Sequence, residues 1–109
     1  MTDQALFILA ALVAGELHGY AIAREAEELS DGKVKLSAGT LYGAVNRLTE
    51  QGLIKQTRED EVAGRRRRYY ELTPAGAEAL RAETARMHAT ADALSARVGR
   101  TAAPRPGIA

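Results

Sequence analysis

Apolar residues recur at helical spacing in the first third of the chain. A capping residue, Thr2, precedes the first apolar stripe and Gly15 follows it, which predicts a helix between them. A second helix is predicted from Gly19 to about Leu29, before a turn signal at residues 30–32. The inward positions would be Leu6, Phe7, Leu9, Ala10 and Val13 in the first helix and Ala21, Ile22, Ala26 and Leu29 in the second.

The middle of the chain predicts a short extended segment and then a third helix. Val34 and Leu36 alternate with lysines, as they would in a strand. Ser37 is a good N-cap, and Gly52 stands where a left-handed residue would end the helix. The spacing turns Leu41, Ala44, Val45 and Leu48 toward the core and leaves Thr40, Tyr42, Gly43, Asn46 and Arg47 outward or at the flank.

A β-hairpin should follow the third helix. Residues 53–57 predict one strand, residues 58–64 a polar tip that contains a glycine, and residues 65–72 the return strand. Thr73 and Pro74 then supply a capping hydroxyl and a first helical residue.

The last helix should carry a heptad-like seam. It is predicted from Pro74 to Val98, with Gly99 as its stop and residues 99–109 as a flexible tail. About 25 helical residues span about 37 Å, more than a small domain can cover, which favours a second copy of the chain as partner. The alternative is that the seam folds back on its own domain. The predicted interface comprises Leu80, Met87, Ala91, Leu94 and Val98, joined by Leu6 and Phe7 of the first helix.

The order of these elements predicts the fold class. Helix, helix, short strand, helix, hairpin and helix make a mainly α fold with a small β-hairpin, namely a winged helix-turn-helix. The predicted organisation is a DNA-binding domain over residues 1–73, a C-terminal dimerisation helix over residues 74–98 and the tail over residues 99–109.

Charge is distributed unevenly along the 109 residues, although the net charge is only +1. Residues 1–32 carry one basic and six acidic groups, residues 33–71 nine and five, and residues 72–109 five and three. A basic middle segment is typical of a protein that binds a polyanion. Many such uneven charge distributions, however, belong simply to a charged surface exposed to water. The apolar stretch at residues 5–14 is too short to cross a bilayer, so we expect a cytoplasmic protein without membrane contact.

The basic hairpin beside the third helix suggests binding of double-stranded DNA. Arginine side chains neutralise phosphates, and a helix N-terminus can dock one. Tyr42 fits either a DNA contact or a partly buried core position, and the arginine run could instead be a solvated sheet edge. The predicted DNA-binding residues are Ser37, Gly39, Thr40, Tyr42, Asn46 and Arg47 on the helix and Arg65, Arg66 and Arg67 on the strand, with Arg68 expected to pair with an acid such as Glu50.

Four segments resemble one bacterial regulator family in register. They are residues 17–22 (LHGYAI), 36–42 (LSAGTLY), 48–54 (LTEQGLI) and 67–76 (RRYYELTPAG). On these motifs the chain resembles the PadR family of transcription regulators, in its small form with a single C-terminal helix. It departs from the family pattern at Ala21, Ala38 and Gly43, and the last leaves one fewer side chain for DNA.

The resemblance implies a homodimeric repressor of an operator, relieved by a small-molecule effector between the first and last helices. A dry dimer core would explain the same apolar residues. The chain has no Trp, which argues against stacking of flat drugs. The effector candidates are Phe7, Ala10, Ala11, Met87, Ala91 and Leu94.

An enzyme and a protein-interaction module are the two alternatives to a DNA-binding protein. Two histidines and no cysteine leave no ordinary zinc site, and no motif positions a nucleophile, so we expect neither an enzyme nor a metal or other cofactor. His18 should cap or pack at the start of the second helix. A winged helix can also serve as a protein-interaction module without specific DNA binding, and that alternative stays open.

Overall fold

The computed structural model describes the backbone of residues 1–102 and the side chains of residues 1–100. The elements are α1 (Asp3–Ala11), β1 (Leu17–His18), α2 (Gly19–Leu29), α3 (Ala38–Glu50), β2 (Ile54–Val62), β3 (Arg65–Leu72) and α4 (Pro74–Ala102). In the described part of the chain, four helices combine with one three-stranded antiparallel sheet of order β1-β3-β2, which confirms the predicted winged helix-turn-helix.

Side-chain caps set the starts of the helices. Thr2, His18, Ser37 and Thr73 each accept a hydrogen bond from a backbone N–H three residues later, at the heads of α1, α2, α3 and α4. Gly52, at φ +75°, follows the last turn of α3 in the left-handed conformation. The predicted limits of α2 and the predicted stop of α3 at Gly52 are therefore confirmed.

The core lies between the first three helices and the base of the sheet. It includes the four residues of α3 predicted to face inward, and Tyr70 closes it from β3. Val13 and Leu29 are exposed, contrary to expectation, because α1 ends at Ala11 and Leu29 is the last residue of α2. The fully buried large side chains are Ile8, Leu9, Leu12, Ile22, Val45 and Ile54.

The short strand does not lie where it was predicted. Residues 33–36 form no strand, although Val34 is buried, and the first strand is instead the pair Leu17–His18. These two residues pair with Tyr70 and Tyr69 on β3. The strand thus joins the start of α2 to the hairpin.

The hairpin is longer and its tip tighter than predicted. β2 continues through residues 58–62, which were assigned to the tip, and only Ala63 and Gly64 connect the strands. Both have positive φ angles, as a two-residue hairpin turn of type I′ requires. We call this hairpin, residues 54–72, the wing.

α4 begins as predicted but does not stop at Gly99. It continues to Ala102, since an exposed glycine near a helix end costs only about 1 kcal/mol relative to alanine. Every residue from Thr84 to Arg100 is exposed. The remainder of the predicted tail, residues 103–109, lies outside the described residues. No helix in the described part of the chain is long and apolar enough to span a membrane.

Candidate nucleic-acid interface

The first turn of α3 is open to solvent. Ser37, Ala38, Gly39 and Thr40 are all exposed. The Ser37 hydroxyl caps the Thr40 N–H at 3.3 Å and donates to the Thr40 hydroxyl at 3.0 Å. A side chain at Gly39 would meet no atom of the protein within 4 Å, so its absence is not needed for packing within the chain.

Tyr42 lies over the start of α2. It is 44% exposed, and a Cβ built on Gly19 would stand 2.7 Å from the Tyr42 hydroxyl oxygen. Gly19 therefore leaves the space that the tyrosine ring occupies. Tyr42 thus packs against the start of α2 and is still partly exposed, which combines features of the two roles expected for it.

The structure brings α3 and the wing to one cleft, as a groove-binding surface would require. The cleft has a volume of about 350 Å³ and is lined by His18, Gly19, Tyr20, Tyr42, Arg65, Arg66, Arg67 and Arg68. We call it the wing cleft. Four consecutive arginines of the wing thus line the same cleft as a tyrosine of the third helix.

The wing arginines divide between the two faces of β3. Arg66 and Arg68 both reach Glu59 on β2, with Nε–Oε distances of 3.7 Å and 3.3 Å. Arg68 therefore pairs with an acid, as expected, but the acid is Glu59 and not Glu50, because register places Glu59 directly opposite Arg68. Arg65 and Arg67 lie on the other face and form no ion pair among the described residues.

A polar network that the sequence did not reveal fixes the base of the wing. Glu16 accepts hydrogen bonds from the Thr57 hydroxyl at 2.6 Å and from Arg58 Nε at 2.7 Å. The Arg58 guanidinium lies 3.7 Å above the Tyr69 ring centre, and both side chains donate to one Asp60 oxygen. These contacts connect the segment after α1 to both strands of the wing.

The hydrogen bonds of the network shift the pKa values of two members so that their charged forms are favoured. Hydrogen bonds from Thr57 and Arg58 lower the pKa of Glu16, and the bond to Glu16 raises the pKa of Arg58. Both groups are exposed, so solvent limits what these bonds add to stability. No sequence pattern marks the network, because 42 positions separate Glu16 from Arg58.

His18 lies at the junction of this network and the wing cleft. Its Nδ1 accepts the Ala21 N–H at 3.3 Å, which confirms the expected capping role, and its ring meets Tyr69 edge-on at 5.6 Å between centres. Burial, and then the nearby Arg67 charge, lower the pKa of His18. The neutral imidazole needed for the cap is thereby favoured.

The helix residues predicted to bind DNA do not all face the cleft. Asn46 is exposed one turn after Tyr42 on the same side of α3. Arg47 is also exposed, but it lines a different cavity, of about 640 Å³, between α1, α3 and α4. The structure therefore brings Tyr42 and the wing arginines together but leaves Arg47 on another side of the helix.

The predicted interface residues differ in their surroundings. Met87, Leu94 and Val98 are 47%, 62% and 61% exposed, and Ala91 is exposed between them. Leu80 instead packs partly against the core of its own chain. Leu6 and Phe7 are half-buried on α1. The seam is thus exposed beyond Leu80 and has no cover within the described chain.

The effector candidates do not line the cavities next to α4. The 640 Å³ cavity has Ala5, Ala44, Leu48, Ala79 and Ala82 on its apolar side. A second cavity, of about 610 Å³, is lined by Val13, Leu72, Leu80, Thr84, His88 and neighbours on α4. Neither cavity is lined by the predicted set of Phe7, Ala10, Ala11, Met87, Ala91 and Leu94. The three α4 residues of the set lie in solvent, because α4 leaves the domain after its first turns, and the three α1 residues are half-buried or buried.

Comparison with known proteins agrees with this geometry. The chain matches the transcriptional regulator PadR-like family over residues 8–82. Two curated relatives are each 41% identical: an uncharacterized 37.1 kDa protein in transposon TN4556 of Streptomyces fradiae, over 102 residues, and transcriptional regulator Rv3488 of Mycobacterium tuberculosis, over 75 residues. The matches cover 94% and 69% of this chain but only 27% and 66% of those proteins.

A solved structure extends the comparison. PadR of Bacillus subtilis, in complex with operator DNA, is 26% identical and superposes with a TM-score of 0.64. The match covers 73% of this chain and 45% of that one. Because the family match runs from the core of α1 through α3 and the wing into α4, this protein belongs to the PadR-like family of transcriptional regulators.

Proposed function

We propose that the protein is a sequence-specific DNA-binding transcriptional regulator that holds duplex DNA between α3 and the wing. The observation that carries this proposal is the wing cleft, where Tyr42 and Arg65 to Arg68 line one surface. The family is one of transcriptional regulators, which confirms the expectation that the chain is not an enzyme.

The two sides of the surface would supply different parts of the binding energy. The wing arginines neutralise phosphates, which gives affinity that depends on salt but not on sequence. Ser37, Gly39 and Thr40 present the exposed N-terminus of α3 to the backbone, and Gly39 allows close approach. Tyr42 and Asn46 lie one turn apart on the same side of α3 and would reach base edges and thymine methyl groups.

Relatives support this assignment. The Bacillus subtilis PadR is solved with operator DNA, and the mycobacterial relative is named a transcriptional regulator. A homodimer reading two half-sites would raise specificity above what one module provides. Repression by occupying a promoter is the simplest mechanism for such a dimer.

Relief by a small molecule is supported by the cavity of about 640 Å³ rather than by the residues predicted from sequence. That cavity has an apolar side and a polar rim that includes Arg47 on α3. A ligand there would touch α1, α3 and α4 together. It could therefore alter the position of α3 relative to the helix that we propose to mediate dimerisation.

The direct test is a mobility-shift titration with DNA from the upstream region of the gene. We expect binding at least 10³-fold tighter than to random DNA of equal length, as specific regulators typically show. The affinity should fall steeply with salt because phosphate contacts release counterions. Equal binding to all sequences, or none, would favour the alternative of a protein-interaction module.

The dimer has a separate test. Leu94→Asp places a carboxylate on the exposed seam of α4, and we expect light scattering to show loss of the two-chain mass. Ala96→Asp is the matched control, because residue 96 is two positions further along and lies on the far side of the helix. A Leu94→Asp protein that keeps the dimeric mass would place the interface elsewhere.

A further inference from the structure

One carboxylate is shared by two arginines in the wing. Glu59 Oε2 lies 3.7 Å from Arg66 Nε, and Glu59 Oε1 lies 3.3 Å from Arg68 Nε. Gln56 also donates to Glu59 Oε1, at 3.3 Å. Arg66 and Arg68 line the wing cleft, so this acidic group stands beside the surface assigned to DNA.

The opposite face of the wing is arranged differently. Asp60, the acid on that face, already accepts hydrogen bonds from Arg58 and the Tyr69 hydroxyl. Arg65 and Arg67 form no ion pair with any described residue. The four arginines of the cleft therefore form two classes, two engaged by a carboxylate and two available.

We propose that Glu59 competes with DNA phosphate for Arg66 and Arg68 and thereby limits the affinity of the wing for any duplex. The proposal rests on the proposed DNA-binding function. A carboxylate and a phosphate oxygen accept the same kind of charge-assisted bond from a guanidinium group. They compete directly at Nε, which both Glu59 contacts use, and the carboxylate charge also weakens the attraction of the remaining N–H donors for phosphate. Glu59 would thereby lower the part of the affinity that comes from phosphate contacts and does not depend on DNA sequence.

The exposure of the pairs makes such exchange feasible. The side chains of Arg66 and Arg68 are 71% and 54% exposed, and that of Glu59 is 39% exposed. Ion pairs this accessible contribute little to folding, so a phosphate can displace the carboxylate at low cost. Glu59 then remains close to the DNA as an unpaired negative charge. Both effects weaken binding to every sequence equally.

The test is Glu59→Gln in the full chain, measured by fluorescence anisotropy with operator and random DNA over a range of salt. We expect both association constants to rise by about three- to tenfold near 0.1 M salt. The salt slope should steepen by up to about 1.8 for each protomer, from two further phosphate contacts. The ratio of operator to random binding should stay constant.

Two comparisons assign the effect to the ion pairs. Glu61→Gln removes one carboxylate from the same strand and leaves both Glu59 pairs intact, so we expect a clearly smaller gain. In a chain with Arg66→Ala and Arg68→Ala, Glu59→Gln should bring only the smaller gain that follows from removing one negative charge near the DNA, comparable to that of Glu61→Gln. An equal gain from Glu61→Gln, or a full gain without the two arginines, would overturn the proposal.

The outcome also separates this proposal from the function on which it depends. If the wild-type chain does not bind DNA, the proposed function is wrong and this inference falls with it. If the wild-type chain binds and Glu59→Gln leaves the affinity unchanged or lowers it, only the competition is refuted. A circular-dichroism melt of each variant confirms that the compared proteins are equally folded.

Discussion

Replacing Arg65 and Arg67 by alanine should weaken DNA binding by about 10- to 100-fold at moderate salt, since each lost phosphate contact removes one released counterion. These two arginines line the wing cleft and have no acidic partner in the described part of the chain, so their full charge is available. The salt slope should become shallower by up to about 1.8 for each protomer. Operator and random DNA should be affected almost equally.

A charge-matched control removes two arginines from another surface. Arg81→Ala with Arg86→Ala changes the net charge by the same amount on α4, where these residues pair with Glu78 and Glu83. We expect an affinity change of less than about threefold from this pair, because screening limits the effect of distant charges. Equal losses in the two double variants would mean that overall charge, and not the wing, governs binding.

Local signals made most of the helical frame predictable. The limits of α2 and the stop of α3 at Gly52 depend on residues close in sequence, namely caps, a turn and a left-handed glycine. The inward face of α3 follows from the spacing of its apolar residues, all four of which are buried. The basic strand could also be predicted from local sequence, since Arg65 to Leu72 form one unbroken segment between a turn signal and a helix start.

Features that depend on distant partners could not be predicted. β1 has only two residues and is a strand because Leu17 and His18 pair with Tyr70 and Tyr69. The charged outer half of β2 resembles a loop by composition, but each of its residues pairs across the wing with β3. Cross-strand register, which the sequence does not show, also decides that Arg68 meets Glu59 rather than Glu50.

The rotation of α3 about its own axis decides which of its polar residues face the wing, and the sequence does not fix that rotation. A helix of 13 residues exposes several sides, and the sequence alone does not say which side meets the wing. The packing that buries the apolar side of α3 also places Tyr42 against Gly19 and turns Arg47 toward α1 and α4. Packing between helices, rather than residue type, therefore separates a DNA-facing residue from one that lines the neighbouring cavity.

The start of α4 provides the sharpest stability prediction, because its packing reverses the usual preference for alanine in helices. Gly→Ala in an exposed helix normally stabilises by about 0.5–1 kcal/mol. A Cβ on Gly76, however, would overlap the Leu53 carbonyl oxygen and stand 2.9 Å from the carbonyl carbon and 2.8 Å from Leu72 Cδ1. The Leu53 oxygen cannot move freely, since it accepts the Thr73 N–H at 3.1 Å.

We therefore expect Gly76→Ala to lower the free energy of unfolding by about 3 kcal/mol, at the upper end of overpacking costs. The melting temperature should fall by roughly 10–20 °C for a domain of this size. Gly99→Ala is the matched control in the same helix, because its Cβ would meet nothing within 4 Å, and it should leave the melting temperature unchanged or raise it slightly. Both melts need equal protein concentrations, since a dimer gains stability with concentration. If the Gly76→Ala protein were as stable as the wild type, α4 would not dock on residues 52–53 through this close approach. Other contacts would then have to set the direction in which α4 leaves the domain.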